Sequence, residues 1–187
     1  MKNELIFLRH AETKKDKSIP VSQWVLTREG KEKSKNLTND KYLLDVDIII
    51  TSTEKKAFQT AKHLADKLNK EIIQIKDLSE LNRDKGEIMT KEEYDQMKVK
   101  IFEDLDFTDF GWETCNHALE RFRKTVKEID KKYENKKILI VAHGTVMTLY
   151  FSYLQNSLDN IFTRWKSLGF CDYGIVKDDR VIKDIVR

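Results

Sequence analysis

Proline occurs once in the 187 residues, at Pro20, and cysteine only twice. One proline leaves the backbone free to form uninterrupted helices and strands, and it excludes a proline-rich linker or recognition segment. Cys115 and Cys171 stand far apart and outside any CxxC or CxH spacing, so neither a disulfide framework nor a cysteine-type zinc site is encoded. That usage fits a reducing compartment. No apolar run approaches the ~20 residues of a membrane span, and the apolar segment at the N-terminus is too short for the hydrophobic region of a secretory signal. The expected location is therefore the cytoplasm, with no membrane partner. A one-sided charge is missing as well, because 35 Lys+Arg face 32 Asp+Glu for a formal charge of +3. The basic runs "KKDK" (14–17) and "KKYENKK" (131–137) are interrupted or flanked by acidic residues, so they read as solvated faces and not as a nucleic-acid footprint.

What is present is a chain with 40% hydrophobic residues and no internal repeat or low-complexity tract, long enough for one well-buried domain over 1–187. Short, continuous apolar runs at 4–8 ("ELIFL") and 46–50 ("VDIII") have the pattern of strands covered on both faces, and 71–75 ("EIIQI") and 137–142 ("KILIVA") also read as strands. Helical periodicity separates them. Thr27 is a plausible N-cap for a first helix, and apolar residues recur at helical spacing over 55–69, 91–104 and 114–134. Further helices are expected at 145–154 and 159–166, and two terminal strands at 173–177 and 181–186 flank the turn-forming "DDR". Strands alternating with helices predict an α/β fold, a three-layer α/β/α sandwich around a mainly parallel sheet. Two irregular stretches, 14–26 and 76–90, read as loops, and loops of that length are often functional.

In such a sheet, ligands bind outside the carboxyl ends of the strands. Arg9 and His10 fall at the predicted end of the first strand. His143 falls at the same place after "KILIVA", followed by Gly144, Thr145 and a helix whose first N–H groups favour an anion. A lone histidine at a strand end is more often a hydrogen-bonded structural residue. Two at equivalent strand ends, beside an arginine, point to anion chemistry.

These residues also carry a resemblance. "LRHAET" resembles the RHGE signature of the histidine phosphatase superfamily. "LTREG" is similar to its LTxxG, "TSTEKKAFQTA" to its SSPLxRAxQTA, "WETCNHALERF" to its ESxxxVxxRV, and "VAHGTVM" to its VxHGGVI. The motifs occur in the family's order over nearly the whole chain. The resemblance implies a phosphoglycerate mutase-like fold and phosphoryl transfer through a phosphohistidine, without metal or cofactor. His10 is then the nucleophile, attacking as neutral imidazole. Arg9 grips phosphoryl oxygens, and His143 donates to the oxygens that gain charge. Glu80, in "LSELNRDKG", is the candidate acid that protonates the leaving oxygen and later activates water, for which its pKa must rise. Thr13 and Gly144 are candidate phosphate contacts. Asp16 is disfavoured beside a phosphate unless it reaches a lysine.

The pattern departs at two places. Ala11 stands for glycine, and Lys56 stands where the family has its second phosphate-binding arginine. Lysine is a point charge that cannot make a two-pronged contact. Either Lys56 works less rigidly, or Arg83 supplies the missing fork, or the chain binds a phosphorylated ligand without turning it over; a combination of the first two is favoured. The Glu113–Thr114 pair reads as a cap for the following helix, Arg121 as structural, and His63 and His117 as ordinary helix residues. Trp24 and Trp112 read as packed loop aromatics that could line the pocket. Region 76–112 is expected to be an insertion shaping the pocket. The leading expectation is a phosphomonoester phosphatase acting on a phosphorylated small molecule, with a phosphoprotein as the other possibility. A phosphoglycerate mutase-like phosphotransferase and a noncatalytic phosphate-binding module are the alternatives. The sequence leaves the oligomeric state open.

Overall fold

The computed structural model describes residues 3–83 and 89–186. Among these, six strands form one mixed sheet in the order β3-β2-β4-β1-β5-β6: β1 Glu4–Arg9, β2 Ile48–Thr51, β3 Ile72–Gln74, β4 Lys137–Ala142, β5 Tyr173–Lys177 and β6 Arg180–Lys183. The first four strands are mutually parallel and the terminal pair is antiparallel. The predicted α/β sandwich is what forms.

The continuous apolar runs are explained by burial on both faces. Along β1 the side chains alternate between two cores. Ile6 and Leu8 join Ile49, Leu139 and Val141 under Ala57, Ala61 and Leu64 of α2 (Lys55–Leu68), the face that α1 (Arg28–Asn36) also covers. Leu5 and Phe7 turn to the other face, with Ile138, Ile140, Phe122 and Phe151. There Phe7 sits 5.5 Å from the Phe151 ring, edge to face, and 5.2 Å from Tyr150. This second layer consists of α3 (Lys91–Glu103), α4 (Cys115–Lys132), α5 (Gly144–Leu154) and α6 (Ile161–Ser167). Both cysteines are buried free thiols.

Several local expectations are realised with a physical cause. Thr27 caps α1 by accepting from the Gly30 N–H at 2.9 Å. Gly30 belongs in that first turn because a Cβ there would lie 2.3 Å from the Glu12 carbonyl oxygen. Thr90 and Glu93 form a reciprocal capping box that starts α3. The last strand stops at Lys183, short of the expected 186, because the Asp184 carboxylate turns to Arg164 at 2.7 Å and to its neighbouring Ile185 N–H. No helix among the described residues is long and apolar enough to cross a membrane.

The sheet positions the site through register. Arg9 pairs with Ala142 across β1 and β4, and the His10 N–H reaches the Ala142 carbonyl at 3.0 Å. The residues that leave these two strands, His10 and His143, therefore emerge side by side. The Ser52 N–H bonds the Val141 carbonyl at 3.2 Å, which brings the end of β2 to the same rim.

Candidate active site

His10 and His143 are buried with ring centroids 5.1 Å apart. His10 Nδ1 lies 2.7 Å from the Ala11 carbonyl oxygen. A carbonyl can only accept, so Nδ1 carries the proton and Nε2 is left with its lone pair. Burial, then His143, Lys56 and Arg9, hold the His10 pKa well below its usual value, so the ring is neutral. Burial and Lys56 do the same to His143. Its Nε2 is hydrogen-bonded to Ser52 Oγ at 2.7 Å, while its Nδ1 is buried without a partner among the described residues. Ser52 Oγ also accepts from the Glu54 N–H at 3.3 Å and has a second lone pair, so either Ser52 or the His143 Nε2 can donate across their 2.7 Å contact.

Arg9 reaches the Leu168 carbonyl through Nη1, stacks 4.3 Å from the Phe170 ring centroid, and keeps a buried Nε without a partner among the described residues. Gly144 makes room for it. A Cβ at that position would stand 3.3 Å from Arg9 Nε. Two buried nitrogens, Arg9 Nε and His143 Nδ1, thus lack partners among the described residues, beside a neutral histidine with a free lone pair. The arrangement can seat an anion and present a nitrogen nucleophile to it.

Glu80 is brought to this place, but its charge state differs from the expectation. Its Oε2 accepts from the Thr145 N–H at 3.0 Å and its Oε1 from the Val146 N–H at 3.2 Å, so the carboxylate caps α5. Burial pushes its pKa up. The Lys98 cation and the backbone N–H bonds from Thr145 and Leu81 outweigh burial and lower it to about 2. Glu80 is therefore ionised here, the opposite of the rise that an acid needs. The cause is Lys98, almost fully buried, which donates to Thr145 Oγ1 at 2.7 Å and faces the rings of Tyr94, Phe102, Trp112 and Trp165 within 5.3–5.7 Å. Sequence reasoning missed this residue, since nothing in a lysine on an amphipathic helix signals that it turns inward.

Lys56 also differs. It is buried and ion-paired with Glu54, and its ammonium donates to the Val21 carbonyl at 2.9 Å. Glu54 is the second residue that sequence reasoning missed. It is buried, lies 3.4 Å from His143 Nε2, and accepts the Glu80 N–H at 2.7 Å. Its signal was legible, because Glu54 stands at an apolar position of the SSPLxRAxQTA pattern. The Arg83 guanidinium sits over Tyr94 at 4.6 Å, Trp112 at 5.7 Å and Trp24 at 5.8 Å. Trp24 and Trp112 are thus buried and hold this cation at the pocket side. Thr13 pairs its backbone with Leu26. Asp16 binds Ser18.

Thr114 caps α4 as expected, by accepting the His117 N–H. Glu113 does something else. It binds Arg121 through both oxygens at 2.7 Å and His117 at 2.5 Å. Arg121 in turn donates to the carbonyls of Asp77, Ser79 and Glu80, all at 2.8 Å, so this pair holds the segment that carries Glu80. A cleft of about 450 Å³ opens next to it, with Gln23, Glu54, Lys76, Glu80, Arg83 and Arg121 among its walls. Its lining includes Glu54 and Glu80 but not His10 or His143.

A paired-histidine anion seat at the carboxyl edge of a parallel sheet defines a class of phosphate-handling proteins. A profile of the histidine phosphatase superfamily (branch 1) matches residues 5–177, and the chain belongs to that superfamily. It is 32% identical over 101 residues to the uncharacterized phosphatase PhoE of Bacillus subtilis, a match covering 54% of this chain and 49% of that protein. The match thus spans about half the length of that relative. Phosphoserine phosphatase 1 of Hydrogenobacter thermophilus is 25% identical over 155 residues, covering 77% of this chain and 72% of that protein. Two solved structures share the fold. Bacillus stearothermophilus YhfR has a TM-score of 0.79 at 22% identity, covering 97% of this chain and 95% of its own. A mycobacterial glucosyl-3-phosphoglycerate phosphatase complexed with VO3 has a TM-score of 0.78 at 19% identity, covering 98% of both chains.

Proposed function

We propose that the chain is a phosphomonoester phosphatase that works through a phosphohistidine at His10. The observation that carries this reading is the tautomer of His10, whose Nδ1 is tied to Ala11 while Nε2 keeps its lone pair, next to two buried nitrogens, Arg9 Nε and His143 Nδ1, that have no partner among the described residues. In the reaction, Nε2 bonds to phosphorus as the ester P–O bond breaks. Arg9 Nε and His143 Nδ1 take the terminal oxygens, and the leaving oxygen takes a proton from Glu80. Water then attacks phosphorus, gives its proton to Glu80, and releases inorganic phosphate with His10 regenerated.

Glu80 is ionised before substrate arrives, and the substrate corrects this. A phosphate dianion placed beside it repels the carboxylate and competes for the Thr145 and Val146 N–H groups. Both changes raise the carboxyl pKa toward a useful value. Lys56, Gly144 and Thr13 complete the seat in this reading, Gly144 by admitting Arg9. Arg83 serves the cleft and not the phosphorus.

The cleft is small and polar, which favours a phosphorylated metabolite over a phosphoprotein. The names of the relatives, a phosphoserine phosphatase and a glucosyl-3-phosphoglycerate phosphatase, support the same class. The described parts of 76–112 contribute Lys76, Asp77, Ser79, Asn82 and Arg83 to the cleft, in keeping with a pocket-shaping role inside a single domain; residues 84–88 lie outside the described residues. Two buried thiols fit a cytoplasmic setting.

The Glu54–Lys56 pair is the one observation that favours a noncatalytic binder, because it partly neutralises the seat. Incubation with a ³²P-labelled phosphomonoester, quenching and peptide mapping separates the two. Acid-labile label on His10 and its loss in His10→Ala are the expected results; hydrolysis or binding with no label on His10 overturns the phosphohistidine.

A further inference from the structure

Glu54 is a carboxylate in a place built to receive an anion. Its side chain is 7% exposed, is paired with Lys56, and lies 3.4 Å from the Nε2 of His143. The Lys56 ammonium has a second acceptor in the Val21 carbonyl. In the stretch that resembles SSPLxRAxQTA, both members of the pair are departures: an apolar residue has become Glu54 and an arginine has become Lys56. The two replacements compensate each other. A cation that would otherwise wait for phosphate is already answered from two positions away. Arg9 Nε and His143 Nδ1, by contrast, are buried and without partners among the described residues.

An incoming phosphate therefore meets two different kinds of cationic contact. It can bind Arg9 and His143 without displacing anything. At Lys56 two of the three ammonium donors are already taken by Glu54 and Val21, so phosphate meets a cation whose charge is largely answered. It also feels the Glu54 charge at short range in a buried, weakly screened setting.

We infer that Glu54 is an internal competitor for Lys56, and that it sets how weakly the site retains free inorganic phosphate. This rests on the phosphatase reading. Product phosphate and a phosphomonoester present the same terminal oxygens, so a seat that grips these oxygens strongly is inhibited by its own product. Weakening the seat shifts discrimination to the rest of the substrate, in the cleft walled by Lys76, Arg83 and Arg121. Glu54 is thus an affinity-setting residue, acting on the anion through Lys56.

The test is calorimetric titration of inorganic phosphate into the wild type, Glu54→Gln, Lys56→Arg, and the double variant Glu54→Leu with Lys56→Arg. Removing the competing charge is expected to tighten phosphate binding by about tenfold or more, in Glu54→Gln relative to the wild type and in the double variant relative to Lys56→Arg alone, which carries the effect of the arginine itself. Product inhibition of p-nitrophenyl phosphate hydrolysis should strengthen in parallel. Phosphate affinity that is unchanged or weaker in the folded variants overturns the inference. Glu54→Gln leaves a buried lysine without its partner and could fail to fold; the double variant replaces the ion pair with an apolar residue and a free arginine, and its titration then decides. The two readings fail separately. Label on His10 with unaltered phosphate affinity removes only the role of Glu54, whereas absent label removes the phosphatase whatever the titrations show.

Discussion

At the scale of single residues, the chemistry turns on which nitrogen and which oxygen carry protons. His10→Ala removes the proposed nucleophile, and turnover of any phosphomonoester is expected to fall by on the order of 10³-fold or more. Glu80→Gln separates the two steps. An acid contributes about 10²–10⁴-fold when the leaving oxygen is strongly basic. p-Nitrophenolate leaves without help, so the variant should phosphorylate normally with p-nitrophenyl phosphate and then stall, for want of a base to activate water. Rapid-quench measurement should show a burst of one nitrophenol per site and accumulated phosphohistidine; a uniform slowing with no burst would place Glu80 outside the proton transfers. The positions of Arg9, His10, His143 and Glu80 could be read from the sequence because strand ends and motif order determine them. The ionisation of Glu80 could not, since it depends on Lys98, which reaches the site from another helix through the hydroxyl of Thr145. The pairing of Lys56 was half legible. The loss of the arginine was visible, whereas its neutralisation by Glu54 required knowing that both side chains are buried on the same turn of chain.

At the scale of elements, strands were legible wherever they are covered on both faces, as β1 and β4 are, because only such strands must be continuously apolar. The edges were less so. β3 has a half-buried and exposed pattern and forms only over Ile72–Gln74, within the longer 71–75 run. The most consequential link between elements is Arg121, which joins α4 to the carbonyls of the 77–80 segment while Glu113 fixes its guanidinium. Lysine cannot reproduce five donors in a plane. Arg121→Lys should therefore lower kcat by about tenfold to a hundredfold through misplacement of Glu80. In the Glu80→Gln background the same substitution should have a much smaller effect, since there is no acid left to misplace. Additive losses in that double-mutant cycle would mean that Arg121 acts on substrate directly. A second prediction concerns packing of α1 against the first loop. Gly30→Ala drives a Cβ into the Glu12 carbonyl, so it should destabilise the fold by about 1–3 kcal/mol, measurable by urea unfolding.

At the scale of the molecule, the site stores charge that folding must keep buried, and pH reads this out. His10 and His143 are held neutral by burial, with pKa values well below the usual 6.5. In the unfolded chain both would take up protons below pH 6.5. Their contribution to stability is therefore fully present above that pH and is lost as pH falls, at up to about 1.4 kcal/mol per pH unit for each ring. Glu80 adds to the trend lower down, since its pKa of about 2 lies below the ordinary 4.5 and its contribution is lost as pH falls between those values. Both signs agree. The melting temperature should be highest near neutrality, decline from pH 6.5 to 5, and decline further below 4.5. His10→Gln should flatten the upper part of that slope by about one proton, because it removes one ring that only the unfolded chain can protonate. Inorganic phosphate should raise the melting temperature in proportion to its occupancy of the seat. A melting temperature that stays constant from pH 7 to 5 in the wild type would show that the two imidazoles are not held neutral in the folded protein, and with that the free lone pair on His10 Nε2 would lose its basis.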